Sequence, residues 1–158
     1  MRKIVRIMNK FETWKEIIQK NKLIIDKLEV VNNKARINSQ FNPAENECIN
    51  FNIKKNNEVI TIVKQYFYNY SLNDFSITKD TYYDFFDIFL EKTLNYKYYQ
   101  KLYITYVSEE EKNIFDLNIG EPILIIEKKM TNNNQLIFKE EELSKYNKYY
   151  FQEVNNEL

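Results

Sequence analysis

The most informative pattern of apolar and polar positions occurs twice along the chain. Each copy contains a glutamate, an apolar run with β-branched residues, a pair of lysines, an asparagine-rich turn and a second apolar run, and the copies span residues 47–66 and 121–143. Apolar runs separated by asparagine clusters are typical of β-hairpins, because asparagine tolerates the left-handed backbone of a tight turn. The pattern therefore predicts two hairpins, with strands over 47–55, 58–68, 121–129 and 135–143.

Further helices and strands are predicted around the hairpins. Apolar residues recur with helical spacing over 10–20 and, more strongly, over about 80–93. Ser108 and Glu111 have the spacing of a capping box, which predicts a short helix. The other predicted elements are strands over 23–31, 98–107 and 149–154, a weak helix over 33–41, and a lead-in over 1–9 that is open between a strand, a linker and a tail.

The order of these elements repeats along the chain. A shift of 74 residues superposes 11–55 on 85–129 without a gap, with nine identities in forty-five positions. Two copies are too few for a solenoid, which needs at least about three to bury a continuous core. The repeat predicts one α+β domain in which an antiparallel sheet of about six strands is backed by helices, with the two halves related by a pseudo-twofold axis.

Composition narrows the function. The 158 residues suit one domain, and the 23 basic residues equal the 23 acidic ones, whereas proteins that grip a phosphate backbone usually carry a basic excess. The absence of histidine and the single cysteine, Cys48, exclude His-based acid–base catalysis, His-ligated zinc and intramolecular disulfides. Neither a signal peptide nor an apolar run near the roughly 20 residues of a membrane span is apparent. A cytoplasmic protein without a cofactor is expected.

The last third of the chain carries motifs in a specific order. DLNIGEPILIIEKK (116–129) is followed by a turn, by QLIFKEEEL (135–143) and by NKYYF (147–151). This order resembles the UTRA (UbiC transcription regulator-associated) domain, which is the ligand-binding domain of GntR-type transcription regulators of the HutC subgroup. The earlier places of the family pattern are filled by LEVV (28–31), NECINFNIKKNNEVITIVKQYF (46–67) and YYDFFDIFLEK (82–92).

The resemblance covers roughly residues 10–152, and it implies a fold, a function and an assembly. The implied fold is a chorismate lyase-like antiparallel sheet backed by helices, here expected as a single domain over 10–158 after the lead-in. Family members bind small metabolites, often sugar phosphates, beside the sheet, and they form homodimers. Their winged helix-turn-helix domain precedes this domain, and only a short lead-in precedes the first helix predicted here. DNA is therefore expected to be bound only through a domain that this chain lacks.

Charged residues on the first hairpin contact the ligand in sugar-phosphate-binding members. The resemblance places Phe51 and Ile53 at the positions of an Arg-x-Arg pair and Val63 at the position of a glutamate. A phosphate buried without arginine loses charge-assisted hydrogen bonds that contribute roughly 1.5–3 kcal/mol each. The favoured interpretation of these side chains is that they fill the core. The alternative is a remodelled pocket, which we expect to reject sugar phosphates and to select a largely apolar or neutral effector.

The second hairpin and the middle helix supply the rest of the candidate site. Phe138 falls near a family glutamate, and Glu140 shares its face two residues further along the strand. Ser144 falls near a family tyrosine, while Thr81 and Tyr83 correspond to a Ser-x-Tyr at the start of the middle helix. These five residues and the three of the first hairpin form the predicted ligand-binding site, for which no metal is expected.

Other polar positions are interpreted as structural. The lysine pairs 54–55 and 128–129 flank turns and are expected to be solvated strand ends, and the glutamates 140–142 are expected to lie on a solvated edge rather than to coordinate a cation. Cys48 is expected to be a small buried hydrophobe.

Three functions remain open at this point. The leading hypothesis is a small-molecule effector-binding and dimerisation domain of a GntR/HutC-type regulator, without enzymatic activity. The second is a stand-alone dimerisation module whose degenerate pocket is filled by side chains. The third is an enzyme related to chorismate lyase by fold, although fold alone does not transfer chemistry and the missing pocket arginines would leave a dicarboxylate poorly bound. An open cavity would favour the first hypothesis, and a filled one the second.

Overall fold

The described parts of the chain are residues 3–33 and 46–153 of a computed structural model. They contain eight strands, three α-helices and one turn of 3-10 helix over Tyr146–Lys148. The predicted helix over 33–41 lies outside these ranges, except for Asn33, which ends a strand. In chain order the elements are β1 (Ile4–Ile7), α1 (Trp14–Asn21), β2 (Ile24–Asn33), β3 (Asn46–Lys55), β4 (Glu58–Tyr68), α2 (Tyr82–Glu91), β5 (Lys97–Tyr106), α3 (Glu109–Phe115), β6 (Pro122–Asn132), β7 (Gln135–Lys145) and β8 (Tyr149–Gln152).

Six strands form one antiparallel sheet in the order β2-β3-β4-β7-β6-β5, which confirms the predicted α+β class. The two hairpins turn at residues 56–57 and 133–134, and all four asparagines have positive φ angles between 51° and 64°. The short polar side chain of asparagine makes this backbone accessible. The second strands of the hairpins, β4 and β7, are neighbours at the centre of the sheet. The pseudo-twofold relation between the halves stays a prediction.

A second, parallel pair of strands joins the two ends of the described chain. β1 pairs with β8, with Ile4 opposite Tyr149 and Ile7 opposite Gln152. Of the three forms left open for the lead-in, the structure thus shows a strand over Ile4–Ile7. The proposed domain boundary after residue 9 stays a prediction. The pair carries the side chain of Arg6 into the core, where it is only 2% exposed.

Helices α1 and α2 cover one face of the large sheet, termed the helical face below. Trp14 of α1 and Phe86 and Phe89 of α2 are buried there in one cluster with the strands. Helix α1 begins at Trp14 rather than at residue 10 because Thr13 caps it, its hydroxyl accepting a hydrogen bond of 3.2 Å from the backbone N–H of Glu16. None of the helices within the described ranges has the length and apolar character needed to cross a membrane.

Helix α3 covers part of the opposite face. Phe115 packs there with Ile62 and Leu143, which alternate along their strands with residues of the helical face. The predicted capping box of Ser108 and Glu111 is present at the start of the helix. The sheet therefore has two unequal apolar layers, and the larger one, under α1 and α2, surrounds the candidate site.

Candidate functional site

The four apolar residues of the predicted site lie together on the helical face. Phe51 and Ile53 come from β3, Val63 from β4 and Phe138 from β7, and none is more than 1% exposed. The rings of Phe51 and Tyr82 pack with their centroids 5.1 Å apart. The ring of Phe138 contacts four other phenylalanine rings at centroid distances of 5.2 to 6.4 Å. These four positions are therefore filled by packed core side chains.

A row of polar residues crosses this apolar face. Gln65 on β4, Glu140 on β7, Lys128 on β6 and Gln100 on β5 are direct cross-strand neighbours. These four residues are termed the polar row. Because directly opposite residues share a face, the row is one continuous feature of four strands. The next row on the same face is apolar and consists of Phe67, Phe138, Met130 and Tyr98.

Hydrogen bonds tie the polar row to the elements above the sheet. The side-chain amide of Gln65 donates to Glu140 Oε1 at 2.6 Å, and its Oε1 accepts from the hydroxyl of Tyr82 at 2.8 Å. Tyr82 is the first residue of α2, so this helix reaches the row directly. At the other end of the row, Gln100 Nε2 donates to the sulfur of Met8 at 3.4 Å.

Two buried cations meet two buried carboxyl groups at the row. Lys128 Nζ lies 3.3 Å from Glu140 Oε2 and 2.9 Å from Glu142 Oε2. Arg6 Nη2 donates to Glu142 Oε2 at 3.3 Å, and Arg6 Nη1 lies 2.9 Å from Glu142 Oε1. Arg6, Lys128, Glu140 and Glu142 are termed the ion cluster, and none of them is more than 2% exposed.

Arg6 is held on several sides. Its guanidinium carbon lies 4.9 Å from the centroid of the Trp14 ring and 5.2 Å from that of Tyr149, which are cation–π distances. Arg6 Nε donates to Glu12 Oε1 at 3.2 Å, and the same oxygen accepts from the backbone N–H of Ile7 at 2.7 Å. The resemblance puts the family's arginines on β3, but here β1 supplies an arginine from the other side of the site.

The two carboxyl groups of the ion cluster have opposite pKa shifts. Burial, with a contribution from neighbouring Glu142, raises the pKa of Glu140 to about 8 although Lys128 opposes the rise. Burial also disfavours the ionised form of Glu142, but Arg6 and Lys128 outweigh it and hold the pKa of that carboxyl well below its usual range. The pair therefore holds its proton on Glu140 near pH 7, while Glu142 is ionised.

Ser144 lies further along the same face of β7, in a group of buried hydroxyls. Its Oγ is 2.7 Å from Thr61 Oγ1, which in turn is 2.5 Å from the hydroxyl of Tyr149. Burial raises the pKa of Tyr149 to about 12, so this hydroxyl keeps its proton. Since the Tyr149 ring also covers Arg6, Ser144 is joined to the ion cluster through shared neighbours.

Thr81 lies on the surface, away from the polar row, whereas Tyr83 packs against the outside of the aromatic cluster that contains Phe51 and Phe138. Thr81 is exposed, and its hydroxyl donates to the backbone oxygen of Ser76 at 2.7 Å and accepts from the backbone N–H of Thr78 at 2.8 Å. Tyr83 is half-buried, with its ring 6.0 Å from that of Tyr82. The side chain that reaches the polar row is Tyr82, because the turn closed by Thr81 points the first helical residue at the sheet.

The expectation of solvated positions is wrong for Lys128, Glu140 and Glu142. Strand β6 continues to Asn132, so Lys128 lies within the strand rather than beside the turn. Charges that alternate with buried apolar positions, and that face an opposite charge across the predicted hairpin, are the signal that could have identified these residues. The residues of the candidate site that sequence reasoning missed are Arg6, Gln65, Tyr82, Lys128 and Glu142.

Cys48 lies outside the site. It is buried, as predicted, but on the opposite face of the sheet, and burial raises the pKa of its thiol to about 12.

Some buried polar atoms of the site lack a hydrogen-bond partner within the part of the chain that the structure describes. Among the described residues, the indole N–H of Trp14 is buried without a hydrogen-bond partner. Glu140 Oε2 and Glu142 Oε1 likewise accept no aligned hydrogen bond there, although each lies near a cation. Groups of this kind can accept or donate a hydrogen bond to a polar ligand.

The structure describes three cavities, and the most voluminous of these three lies away from the candidate site. It has a volume of about 600 Å³ and opens between β1, the end of α1 and the turn of the first hairpin. Two smaller cavities, of about 270 and 180 Å³, lie near the outer part of β5 and near the start of β6. None of the eight predicted site residues lines these three cavities, and the lining of the smallest one includes Lys145, the residue after Ser144.

The fold defines a class of protein, although no family model and no curated protein matches the sequence. It is the fold of the effector-binding domains of GntR-family transcriptional regulators, as the resemblance implied. The effector domain of PhnF from Mycobacterium smegmatis superposes with a TM-score of 0.66 at 9% identity, over 92% of this chain and 95% of that one.

Two further solved structures show the same likeness. The ligand-binding domain of a regulator assigned to the GntR family, from Bordetella bronchiseptica, gives a TM-score of 0.59 at 12% identity, over 85% of this chain and 90% of that one. The C-terminal domain of the histidine utilization repressor from Pseudomonas syringae pv. tomato gives 0.62 at 10% identity, over 85% and 98%. At such low identities the likeness establishes the fold alone.

Proposed function

We propose that this chain is a small-molecule effector-binding and dimerisation domain of a GntR/HutC-type transcriptional regulator, of the UTRA type, which acts in the cytoplasm without enzymatic activity. The observation that carries the proposal is the ion cluster, which lies beside the predicted site residues in an otherwise aromatic core. Replacing buried ion pairs by apolar residues is often neutral or stabilising by about 1–4 kcal/mol. A role in binding therefore accounts for the cluster better than a role in stability.

The chemistry of the site indicates the class of effector. The indole N–H of Trp14 and Glu140 Oε2 are buried without an aligned hydrogen bond to any described residue, beside a largely aromatic core, which suits a largely apolar, uncharged molecule with one or two polar groups. The two cations missed in the sequence do not create a phosphate site, because Glu142 lies within 3.3 Å of both Arg6 and Lys128. A buried phosphate dianion would face that carboxylate, so sugar phosphates should be rejected.

Ligand screening tests this proposal. A panel of uncharged amides and alcohols with apolar side groups is compared with hexose 6-phosphates by thermal shift, and the hits are measured by calorimetry. We expect an uncharged compound to bind and Glu140→Met, which removes the hydrogen-bonding group, to weaken it at least tenfold. Glu141→Met is the matched control, because Glu141 is the next residue and points to the opposite face. A hexose phosphate that binds with micromolar affinity and loses it in Lys128→Met would contradict the proposed effector class.

A second function is favoured by one specific observation. Phe51, Ile53, Val63 and Phe138 are at most 1% exposed, which is what a filled pocket in a dimerisation module would show. In that case no compound of either panel binds, while the protein still associates with a second copy. An effector-binding domain with the same packing would instead need the ring of Trp14 or Tyr82 to move, which fluorescence of Trp14 during titration would report.

A further inference from the structure

Strand β5 exposes large apolar side chains on both of its faces. On the helical face, Leu102, Ile104 and Tyr106 are 37%, 61% and 66% exposed. On the opposite face, Tyr99 and Tyr103 are 54% and 37% exposed. Within the described residues β5 pairs with β6 alone, so its outer backbone edge is open. These five side chains and the open edge are termed the β5 surface.

The five apolar side chains of the β5 surface supply more than half of the area that a stable interface needs on each chain. With about 200 Å² for each fully exposed aromatic side chain, its five side chains expose about 450 Å² of mostly apolar area. A typical specific interface buries about 800 Å² on each partner, and the backbone edge and the polar neighbours of the strand supply the remainder. An exposed apolar patch of this size on a small domain is typical of an interaction site.

An open strand edge is matched best by another strand, because only a strand pairs its row of N–H and C=O groups. The two edges of the large sheet differ in this respect. Edge strand β2 has a register shift between Asp26 and Glu29 and carries a lysine with a φ angle of 53°, Lys27, between them. Irregularity and charge of this kind prevent edge-to-edge pairing. Strand β5 runs for ten residues in unbroken register with β6.

The charges at the two ends of β5 identify the partner and its direction. Lys97 is exposed at the start of the strand, and Glu109 and Glu110 are exposed just after its end, in the first turn of α3. When two copies of β5 pair antiparallel, the basic start of each lies beside the acidic end of the other. Parallel pairing would place like charges together. Lys101, in the middle of the strand, faces Glu127 of its own chain across the sheet.

We infer that β5 is the dimerisation strand of this domain and pairs antiparallel with β5 of a second copy, so that the two six-stranded sheets become continuous. The contact is isologous, because the same surface of each chain meets its counterpart about a twofold axis. The inference rests on the dimerisation part of the proposed function and identifies the surface responsible for it. It does not depend on the polar row or on an effector.

The test compares exposed isoleucines on the two sheet edges. Ile104 on β5 is 61% exposed and Ile24 on β2 is 55% exposed, so Ile104→Lys and Ile24→Lys are matched variants. Light scattering coupled to size exclusion at about micromolar concentration should give twice the chain mass of 19.4 kDa for the wild type and for Ile24→Lys. We expect the monomer mass for Ile104→Lys, with at least a hundredfold weaker association and an unchanged circular dichroism spectrum.

A charge-reversal series tests the antiparallel arrangement. Lys97→Glu should weaken the dimer at least tenfold, and adding Glu109→Lys and Glu110→Lys to it should restore association. A dimer that survives Ile104→Lys but dissociates in Ile24→Lys would overturn the β5 assignment and leave dimerisation intact. A wild-type protein that stays monomeric would overturn both dimerisation and the β5 assignment, while effector binding is still decided by the ligand screen.

Discussion

Glu140 and Glu142 lie two residues apart on β7 and are both fully buried, yet their replacement by glutamine should have very different consequences. Glu142→Gln removes the ionised carboxylate that lies 2.9 Å from both Arg6 Nη1 and Lys128 Nζ. Breaking a buried ion pair by removing one partner costs about 3–5 kcal/mol, because the remaining charge stays buried without compensation. Glu140→Gln replaces a carboxyl that already carries its proton, so we expect a change of about 1 kcal/mol or less at pH 6.

The pH dependence gives this prediction a second readout. The pKa of Glu140 rises from 4.5 in the unfolded chain to about 8 in the folded one, so the folded state binds the proton more tightly. The associated stability is fully present below pH 4.5 and is lost as the pH rises to about 8. At about 1.4 kcal/mol per unit of pKa shift, the loss is on the order of a few kcal/mol. The pKa shift of Glu142 has the opposite effect on the pH dependence of stability. Its lowered pKa contributes stability that is present above pH 4.5 and is lost as the pH falls further.

Urea unfolding followed by circular dichroism, at intervals from pH 5 to pH 9, measures both effects. Wild-type stability should decline over this range, the decline should be smaller in Glu140→Gln, and above pH 8 this variant should be the more stable protein. Glu141→Gln, on the opposite face, should keep the wild-type slope. The reasoning is refuted if Glu140→Gln and the wild type decline in parallel, or if Glu142→Gln costs less than about 1 kcal/mol at pH 7.

Three further predictions concern other parts of the molecule. Phe138→Ala should lower the free energy of unfolding by about 3–5 kcal/mol, because it leaves a cavity among four phenylalanine rings; a loss below about 1 kcal/mol would show that the core is not packed as described. Ser108→Ala should cost about 0.5–2 kcal/mol in urea unfolding, because it removes the capping box of α3, whereas Ser71→Ala, outside any helix, should be neutral. In a gel shift at about 100 mM salt, the chain should give no discrete complex with duplex DNA, because its net charge is zero; a sequence-dependent complex would contradict the assignment of DNA binding to another domain.

The hairpins could be predicted from the sequence because their determinants are local. Alternating apolar residues define each strand, and paired asparagines define each turn, so the pattern needs no information from distant residues. The burial of four residues could be predicted for the same reason, because alternation along their strands places them on one face: Phe51, Ile53, Val63 and Phe138.

The ion cluster could be predicted only in part, because Lys128, Glu140 and Glu142 share one predicted hairpin but Arg6 comes from a distant part of the chain. Arg6 reaches Glu142 only through the parallel pairing of β1 with β8, strands separated by more than a hundred residues. The sequence places Lys128 at a solvated strand end beside the turn, because the predicted strand stops at residue 129 and the observed one continues to Asn132. The sequence predicts Tyr83 as a site residue, but the tyrosine that reaches the polar row is Tyr82. The turn before α2, which Thr81 closes, determines which side of the helix faces the sheet.

The parallel pairing of β1 with β8 also determines how this domain responds to mechanical force. A pull that separates the N-terminal end of β1 from the C-terminal end of β8 acts along two strands that run in the same direction. Such a load shears all the hydrogen bonds of the pair at once, whereas an antiparallel pair pulled from adjacent ends would open one bond at a time. The same pull acts on Arg6, whose side chain is anchored to Glu142, so tension applied through β1 is transmitted to the centre of the large sheet.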